Sequence, residues 1–331
     1  MQVMKAGDGA AVEEAARWLA QGGLVAFPTE TVYGLGARAD DPLAVHKVFA
    51  AKGRPSEHPL IVHVADAAAA QPFAAAWPDL AQRLTQAFWP GPLTVIVPRR
   101  EGVAAEAAGG QASIGLRCPS HPVAQALLAA AARLGVPGIA APSANRFGRI
   151  SPTRAEHVAS EFQGSGDLWV LDGGACAEGI ESAIVDCSRA RPVLLRPGTL
   201  ARQRIEAAAG MALQAPDATA PRAPGTLAAH YAPRARVRLM PPPMLATALE
   251  VLAGHGGVAA PAVAVYSRTV GVPPAVPWRQ MPPDAAAAAH ELFVALRELD
   301  ASGCPLIWVE QPPDTPEWDG VRDRLQRAAA A

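Results

Sequence analysis

Lysine, aromatic residues and net charge are all scarce in this chain. Lys5, Lys47 and Lys52 are the three lysines among 331 residues, the formal net charge is −1, and aromatic residues make up 5% of the sequence. A near-neutral chain has no overall attraction for nucleic acid or for an anionic membrane. Any binding of anions must therefore come from cations gathered at one place, and most cations of this chain are arginines.

Long apolar runs and paired cysteines are also missing. No stretch of about 18 residues is free of proline, glycine and charge, so no membrane span is expected. The N-terminal residues lack the apolar core of a signal peptide. The four cysteines show neither C-x-x-C nor metal-like spacing, so we expect buried, reduced thiols in a cytoplasmic protein.

Three catalytic signatures are absent. The chain has no Walker-type G-x-x-x-x-G-K-[ST], no G-x-S-x-G and no H-E-x-x-H, which disfavours a P-loop ATPase, an α/β-hydrolase and a zinc protease. Residues 254–259 match G-x-G-x-x-A, but they follow a predicted helix and precede a predicted strand. A dinucleotide fingerprint needs the opposite order, so no dinucleotide site is predicted there.

Apolar runs alternate with amphipathic segments over residues 1–208, which indicates an α/β domain with a largely buried sheet. Strands are predicted at 24–27, 60–64, 93–97, 113–117, 138–141, 168–171, 183–186 and 193–196. Helices are predicted at 10–21, 42–51, 78–88, 121–134, 153–162 and 200–208. Asp41 and Pro42 are typical of a helix start, and Gly53 is typical of a helix end.

The composition changes after residue 208. Residues 209–236 are rich in alanine and proline, and we interpret them as a linker that folds back as an ordered arm over the active site. A small second α/β domain is predicted over residues 237–331. Its strands are expected at 237–240, 263–266 and 306–309, and its helices at 243–253, 284–299 and 316–328.

Polar groups repeatedly follow predicted strands, at the sheet edge where open α/β proteins bind ligands. In "AFPTETVYGLG" (residues 26–36), Pro28 ends a strand and Thr31 is expected to face a cleft. Gly34 and Gly36 are predicted to form a turn that lets the backbone approach a ligand closely.

Cations flank the next two predicted strands. In "AKGRPSEHPLIVHV", Lys52 and Arg54 either complement a helix C-terminus or form a cationic pair for a polyphosphate. His63, in the middle of a strand, is by itself more typical of a buried core position. In "ASIGLRCPSHP", Arg117 ends the strand that begins at Ser113, and it either grips a carboxylate with its planar fork or forms a structural ion pair.

The segment "APSANRFGRISPTRAEHV" (residues 141–158) precedes and opens a predicted helix. It brings together two serines and two arginines, Ser143, Ser151, Arg146 and Arg149. Hydroxyls, amide N–H groups and arginines at a helix start form an anion site. Thr153 and Glu156 have capping-box spacing, which explains the helix start but not the arginines.

Taken together, these motifs resemble the YrdC-like threonylcarbamoyl-AMP synthase family. Eight segments carry the resemblance in family order: "FPTETVYGLG", "KGRPSEHPLIVHV", "WPGPLTVI", "GLRCPSHP", "APSAN", "SPT", "GIESAIVD" and "LLRPG". They lie within residues 8–200, and the linker segment "PGTLAAHYAP" with the C-terminal unit is similar to the longer, two-domain form of the family.

The resemblance implies a fold and a reaction. The fold is a twisted, open mixed sheet with a deep concave cleft, joined to a smaller Rossmann-like α/β domain. In the reaction, L-threonine, bicarbonate or CO₂, and ATP with its Mg²⁺ give threonylcarbamoyl-adenylate and pyrophosphate. The product is expected to pass to the transferase machinery that modifies adenosine in tRNA, and a weak contact with tRNA is a further expectation.

The resemblance also assigns residues, motif by motif. The L-threonine pocket falls on Thr31, His63, Arg117 and Ser182. The ATP side falls on Lys52, Arg54, His58, Ser113, Ser143, Ser151, Arg196 and Tyr231. Lys52 and Arg54 are the expected catalytic residues, because cations stabilise charge on a transferring phosphate. No side chain is predicted as a metal ligand, and His58 stands where the family usually has asparagine.

Two other functions remain open. A basic concave face seats an RNA duplex in some proteins, although the near-zero net charge argues against a double-stranded RNA or tRNA-binding module. Related domains make carbamoyl-adenylate from carbamoyl phosphate. However, residues 237–331 are too short for the transferase or acylphosphatase unit that accompanies such a carbamoyltransferase.

Overall fold

The structure, a computed structural model, describes residues 1–7, 9–254 and 263–331. These residues form two compact units. The first unit comprises Met1–Phe147 and Ser151–Thr226, and the second unit comprises Gly148–Ile150 and Leu227–Ala331.

The first unit is built on a ten-stranded mixed sheet. Its strands are β1 (Gln2–Lys5), β2 (Leu24–Phe27), β3 (Gly34–Arg38), β4 (Ile61–His63), β5 (Leu93–Pro98), β6 (Ser113–Arg117), β7 (Ile139–Ala140), β8 (Leu168–Asp172), β9 (Ala183–Asp186) and β10 (Val193–Arg196). They lie in the order β1-β8-β2-β3-β7-β4-β6-β5-β9-β10, with parallel and antiparallel pairs. The helices are α1 (Gly9–Ala20), α2 (Pro42–Lys52), α3 (Ala67–Ala70), α4 (Asp79–Phe88), α5 (Pro122–Arg133), α6 (Ala155–Glu161) and α7 (Arg202–Ala209), with a 3₁₀ turn at Gln71–Phe73.

Most strands of this sheet are buried, which explains why apolar runs in the sequence predicted them. The eight predicted strands of the first unit are confirmed, and β2 and β9 are buried along their whole length. Two strands were not predicted. β1 is exposed at three of its four residues, and β3 carries two glycines, so neither shows an apolar run.

Gly34 and Gly36 belong to β3, so the predicted turn is wrong. β3 pairs antiparallel with β2, with Val25 opposite Gly36. A Cβ atom at Gly36 would lie 2.6 Å from Cγ2 of Ile139 and 2.8 Å from Cε1 of Phe27. Glycine is required here because the neighbouring side chains already fill the space.

The predicted ends of α2 are confirmed. The Asp41 side chain accepts a hydrogen bond of 2.9 Å from the N–H of Leu43, and Pro42 opens the helix. Gly53 follows the helix with a φ of 61°, in the left-handed region that glycine adopts readily. These caps fix where Lys52 and the loop after it leave the helix.

The first part of the predicted linker folds back along the first unit. Gln214 forms a parallel bridge with Val193. Arg222 and Gln111 exchange two hydrogen bonds, of 2.8 and 3.1 Å. Ala223 is buried against an isoleucine cluster on the sheet, formed by Ile61, Ile96 and Ile184. Residues 213–226 are therefore an ordered arm of the first unit, whereas the chain from Leu227 onward belongs to the second unit.

The second unit contains a four-stranded, all-parallel sheet. Its strands are β11 (Arg236–Met240), β12 (Val263–Ser267), β13 (Trp278–Gln280) and β14 (Leu306–Glu310), in the order β11-β14-β12-β13. Its helices are α8 (Pro242–Gly254), α9 (Ala285–Ala301) and α10 (Asp319–Ala329). The predicted elements are present, and the unpredicted β13 has only three residues. The G-x-G-x-x-A pattern lies outside the described residues apart from Gly254.

Two expectations concern thiols and membranes. All four cysteines are free. Cys118, Cys176 and Cys187 are buried as expected, whereas Cys304 is only partly buried. Within the described residues, the structure has no helix with the length and apolar character needed to span a membrane.

Glu310 ends β14, and its carboxylate is enclosed by the loop after β12. The N–H groups of Arg268 and Thr269 each donate to Oε2 at 2.7 Å, and that of Val270 donates at 3.1 Å. The hydroxyls of Ser267 and Thr269 donate at 2.8 and 2.6 Å. Burial acts to raise the pKa of Glu310, but these hydrogen bonds outweigh it, and the pKa lies below its ordinary value.

Glu310→Gln is expected to speed hydrogen exchange at the amides of residues 268–270. The amide side chain offers one acceptor oxygen and no charge, and losing such buried charge-assisted bonds costs about 2 to 3 kcal/mol. Because the folded-state pKa is lowered, this stabilisation is present above the ordinary glutamate pKa and is lost as pH falls through the lowered value. Exchange measured across pH should therefore converge for the two proteins in acid. Glu250→Gln, at an exposed glutamate of α8, is the control, and equal effects of both changes at neutral pH would contradict the prediction.

Candidate active site

Three side chains of neighbouring strands form a row across the sheet of the first unit. His63 of β4 is directly opposite Arg117 of β6, and Arg117 is directly opposite Thr94 of β5. Residues that lie opposite each other on paired strands point to the same face of the sheet. All three are buried, so the row places an imidazole, a guanidinium and a hydroxyl side by side at one protected place.

Arg117 forms a buried ion pair with Glu30. Arg117 Nη2 lies 2.8 Å from Glu30 Oε1, and the two side chains are only 4% and 8% exposed. The N–H of Ser120 donates to the second carboxylate oxygen at 3.1 Å. Within the described residues, Arg117 Nε has no hydrogen-bond partner, although buried donors are nearly always satisfied. This ion pair therefore retains an unused donor in a closed environment.

His63 is neutral in this environment. Burial, followed by the charge of Arg117, lowers the pKa of His63 to about 3. The ring makes an edge contact with Phe27, at 6.0 Å between centroids. Nδ1 of His63 has no hydrogen-bond partner among the described residues, so the neutral ring has a ring nitrogen left to bind a polar ligand.

Ser182 joins the row to Arg196. Its hydroxyl lies 2.9 Å from the hydroxyl of Thr94, and Arg196 Nη2 lies 3.3 Å from the same oxygen. Arg196 also donates to the Ser182 carbonyl from Nε and Nη2, at 3.1 and 3.0 Å, and to the Pro224 carbonyl at 3.0 Å. The guanidinium thus ties the start of β9 to the arm.

Thr31 completes the set predicted to bind threonine. It is fully buried, directly follows Glu30, and its hydroxyl lies 2.8 Å from that of Thr29. The structure therefore connects all four predicted residues. Arg117 neighbours His63, reaches Ser182 through Thr94, and reaches the segment of Thr31 through Glu30.

A second cluster surrounds the loop after β7. Lys52 Nζ donates to the carbonyl of Ser143 at 2.6 Å and to the carbonyl of Asn145. Burial, followed by the charge of Arg54, holds the pKa of Lys52 well below its ordinary value, while Glu161 and Glu181 act to raise it. Lys52 is therefore a buried amine tied to the loop, not a solvated charge complementing the end of α2.

Phe147 contacts the two other basic residues of this cluster. The Arg54 guanidinium lies 5.6 Å from the Phe147 ring centroid and donates to the Pro59 carbonyl at 3.0 Å. The His58 ring makes an edge contact with Phe147 at 5.5 Å. Burial, followed by Arg54, lowers the pKa of His58. The structure thus gathers Lys52, Arg54, His58 and Ser143 around one loop.

Ser151 and Ser113 approach the site from two further elements. The Ser151 hydroxyl donates to a carboxylate oxygen of Glu181, which directly precedes Ser182. Ser113 begins β6 and lines a small cavity with Gly115, together with Arg222 and Pro224 of the arm. That cavity holds only about 10 Å³, room for a single water molecule at most. The arm therefore covers this part of the sheet.

Arg146 and Arg149 of the segment 141–158 each donate to a backbone carbonyl. Arg146 donates to the Ala51 carbonyl at 2.9 Å and packs over Phe162 at 5.4 Å. Arg149 belongs to the second unit, where it donates to the Pro233 carbonyl at 3.1 Å. The predicted anion site at the start of the helix stays a prediction.

The predicted capping box is also wrong. α6 begins after Arg154, which makes no side-chain capping bond. The N–H of Thr153 instead donates to Nδ1 of His157 at 3.2 Å. The His157 imidazole thus accepts the hydrogen bond that the capping-box spacing predicted for Glu156.

Tyr231 is a residue of the second unit. Its ring lies 4.1 Å from that of His230 and 5.4 Å from that of Phe293, and Arg324 packs over it at 5.5 Å. Its φ of 62° lies in the left-handed region, which is rare for a residue with a side chain. The contact of Tyr231 with ATP stays a prediction.

Three residues of the site, Glu30, Thr94 and Glu181, were not predicted from the sequence. Each contacts a predicted residue, which is Arg117, Ser182 and Ser151 respectively. Glu30 and Glu181 both lie in motifs that supplied other site residues, and a carboxylate inside a mostly apolar motif is itself a signal, since buried charges are paired. Thr94 lies in an apolar strand and has no comparable signal.

The first unit is thus an α/β fold with a buried polar site on a mixed sheet, and the second unit is a Rossmann-like α/β fold. Comparisons with known proteins agree with this class. The family described as "Telomere recombination" matches residues 17–198, and the family described as "Threonylcarbamoyl-AMP synthase, C-terminal domain" matches residues 199–330.

Relatives match both units together. Threonylcarbamoyl-AMP synthase of Pyrococcus abyssi is 37% identical, with 95% of this chain and 93% of the relative covered. That of Bacillus subtilis is 36% identical, with 96% and 92% covered. A crystal structure of P. abyssi Sua5 complexed with L-threonine superposes with a TM-score of 0.87 at 35% identity, covering 97% of this chain and 95% of that one. The chain therefore belongs to the threonylcarbamoyl-AMP synthase family.

Proposed function

We propose that this protein is an L-threonylcarbamoyladenylate synthase, which converts L-threonine, bicarbonate or CO₂, and ATP into threonylcarbamoyl-AMP and pyrophosphate. The observation that carries the proposal is the continuous polar row from His63 through Arg117, Thr94 and Ser182 to Arg196. It joins the residues expected to hold the amino acid to those expected to hold the nucleotide. The threonine complex of P. abyssi Sua5, which is 35% identical, supports threonine as the amino acid.

The chemistry needs positioning more than a protein nucleophile. The threonine amine adds to CO₂ or bicarbonate to give a carbamate, and a carbamate oxygen then attacks the α-phosphorus of ATP as pyrophosphate leaves. A carbamate is short-lived in water, so a buried site that holds both reactants together favours the second step. In this proposal Lys52 and Arg54 stabilise charge on the phosphates, and Mg²⁺ enters as part of the ATP substrate.

The arm is part of this proposal. Arg222 and Pro224 leave about 10 Å³ beside Ser113, which is far too little for a nucleotide. ATP binding at Ser113 therefore requires the arm to lift from the sheet, and its return would exclude water from the carbamate. Near Ser113 the arm is held by two hydrogen bonds between Arg222 and Gln111, by one from Arg222 to the Gly109 carbonyl and by one from Arg196 to the Pro224 carbonyl.

We also propose that the product serves the threonylcarbamoyl modification of adenosine in tRNA, through a separate transferase machinery in the cytoplasm. The family membership and the names of the relatives support this role. A weak contact of this protein with tRNA remains part of the proposal.

Release of pyrophosphate from ATP is the test of the proposed function. Release is expected only when threonine and bicarbonate are both present, and omitting either one should reduce it to background. Carbamoyl phosphate should not replace the pair. Turnover with carbamoyl phosphate alone would favour the carbamoyltransferase, and salt-sensitive binding of tRNA without any ATP turnover would favour the RNA-binding module.

A further inference from the structure

The ion pair of Arg117 and Glu30 has two unused bonding capacities. Arg117 Nε–H has no acceptor among the described residues, and Glu30 Oε1 accepts no geometrically satisfactory hydrogen bond there, although it lies 2.8 Å from Arg117 Nη2. A carboxylate oxygen accepts two hydrogen bonds, so Oε1 has room for another donor. The pair thus offers one cationic donor and one anionic acceptor side by side, at least nine-tenths buried.

An α-amino acid presents the complementary arrangement. Its carboxylate fits the free edge of the Arg117 guanidinium, and its ammonium group fits the free side of the Glu30 carboxylate. Binding a zwitterion to an ion pair leaves the net charge of the buried site unchanged. A buried guanidinium alone would instead leave the substrate ammonium desolvated and without a partner, which is costly.

Glu30 or Arg117 influences the pKa of four described side chains, which are His63, His121, Cys118 and Cys176. Burial lowers the pKa of His63 to about 3 and lowers that of His121. Burial raises the pKa of both thiols. All four are therefore neutral near pH 7, so none of them supplies the negative charge that an ammonium group needs as a partner.

We propose that Glu30 binds the α-ammonium group of the amino-acid substrate and accepts the proton that this group must lose before it reacts. The inference rests on the proposed function and extends it to the recognition of the amine. One proton passes from the ammonium to Glu30, and the freed lone pair forms the N–C bond with CO₂ while one C=O electron pair moves onto oxygen. The second nitrogen proton then leaves to water, which gives the carbamate, and Glu30 returns its proton to solvent.

Glu30 is also next to Thr31, which places ammonium and hydroxyl recognition on consecutive residues. The backbone of this segment is held from two sides. The Thr31 N–H donates to the Thr29 hydroxyl at 3.2 Å, and the Glu30 carbonyl accepts from the N–H of Glu178 at 2.7 Å. A substrate that fills both positions must carry an amine and a β-hydroxyl in fixed relation, which is a basis for selecting threonine among amino acids.

The first test uses the unmodified protein and two ligands in titration calorimetry. Threonine is compared with 2,3-dihydroxybutanoate, which keeps its carboxylate and β-hydroxyl but has a hydroxyl in place of the amine. We expect the analogue to bind at least about 30-fold more weakly, since a buried carboxylate would lose its charged partner. Equal binding of the two ligands would overturn the proposal whatever happens to any variant.

The second test uses Glu30→Gln, with Glu178→Gln as a control that removes the same charge from a nearby glutamate. In Glu30→Gln we expect threonine to bind about 30-fold more weakly, while the affinity of 2,3-dihydroxybutanoate stays within about threefold. The kcat/KM for threonine should rise about tenfold per pH unit below the pKa of the free amine, because only the neutral amine then reacts. Glu178→Gln should behave like the unmodified protein. Retained ATP binding by calorimetry shows that the Glu30 variant is folded.

The outcomes separate this inference from the proposed function. If the unmodified protein releases pyrophosphate with threonine and bicarbonate but Glu30→Gln keeps its threonine affinity and pH profile, Glu30 has no role in binding the amine. If the unmodified protein neither binds threonine nor releases pyrophosphate, the proposed function itself fails.

Discussion

Replacing Arg117 with methionine is expected to lower kcat/KM for threonine by about 10³-fold, close to loss of activity in an ordinary assay. Methionine is a comparably long but uncharged side chain, so it cannot bind a carboxylate. KM for ATP should change little, because the nucleotide is expected to contact other residues. The measurement is pyrophosphate release with threonine and ATP varied in turn.

The same substitution also leaves Glu30 as a buried, unpaired carboxylate. Removing one partner of a buried ion pair costs about 3 to 5 kcal/mol of folding stability. The double variant Glu30→Gln with Arg117→Met removes both charges and is expected to recover most of that loss in a urea unfolding experiment. It should remain inactive. Recovery of activity together with stability would show that Arg117 serves the fold alone.

Replacing Lys52 with methionine is expected to lower kcat by about 10² to 10³-fold, with threonine affinity nearly unchanged. Lys52 is 2% exposed and donates to the carbonyls of Ser143 and Asn145, so its amine lies at the loop that carries Ser143. A phosphate arriving there would favour the charged form of this amine. Steady-state kinetics give kcat, and calorimetry gives threonine affinity.

A structural role for Lys52 must be separated from a catalytic one. Lys47→Met is the matched control, since Lys47 is also a lysine of α2 and also donates to a backbone carbonyl, that of Gly22 at 2.7 Å. Both variants lose a lysine-to-carbonyl bond and should lose similar stability, about 1 kcal/mol or somewhat more for the buried Lys52. Only Lys52→Met should lose kcat. Comparable loss of kcat in both variants would remove Lys52 from the phosphate site.

The sheet was predictable from sequence where strands are buried on both faces. Such strands show as short apolar runs, and β2, β6, β9 and β10 begin and end where those runs do. β1, β3 and β13 were not predictable, because exposure, glycine content or short length removes the apolar run. The strand order could not be predicted from the sequence either, because pairings such as β4 with β6 join segments about 50 residues apart.

The candidate site was predictable as a set of residue types but not as a set of contacts. Motifs drew attention to Arg117, Ser182 and Lys52, yet nothing in the sequence tells that Arg117 pairs with Glu30 or that Lys52 serves two carbonyls. Each of these contacts spans about 90 residues, and such long-range partners follow from strand register and loop packing. At Thr153 the error was local instead, because His157, the residue directly after Glu156, accepts the hydrogen bond.

The carboxylate of Glu310 is an internal substitute for a bound anion. Ser267 and Glu310 end the adjacent parallel strands β12 and β14, and this edge is where Rossmann-like folds seat the phosphates of their nucleotides. In this chain the same edge already holds the Glu310 carboxylate. Because that carboxylate is covalently attached, it is always present at high local concentration. In the second unit the N–H groups of one loop at this edge are thus already bound to a carboxylate of the same chain.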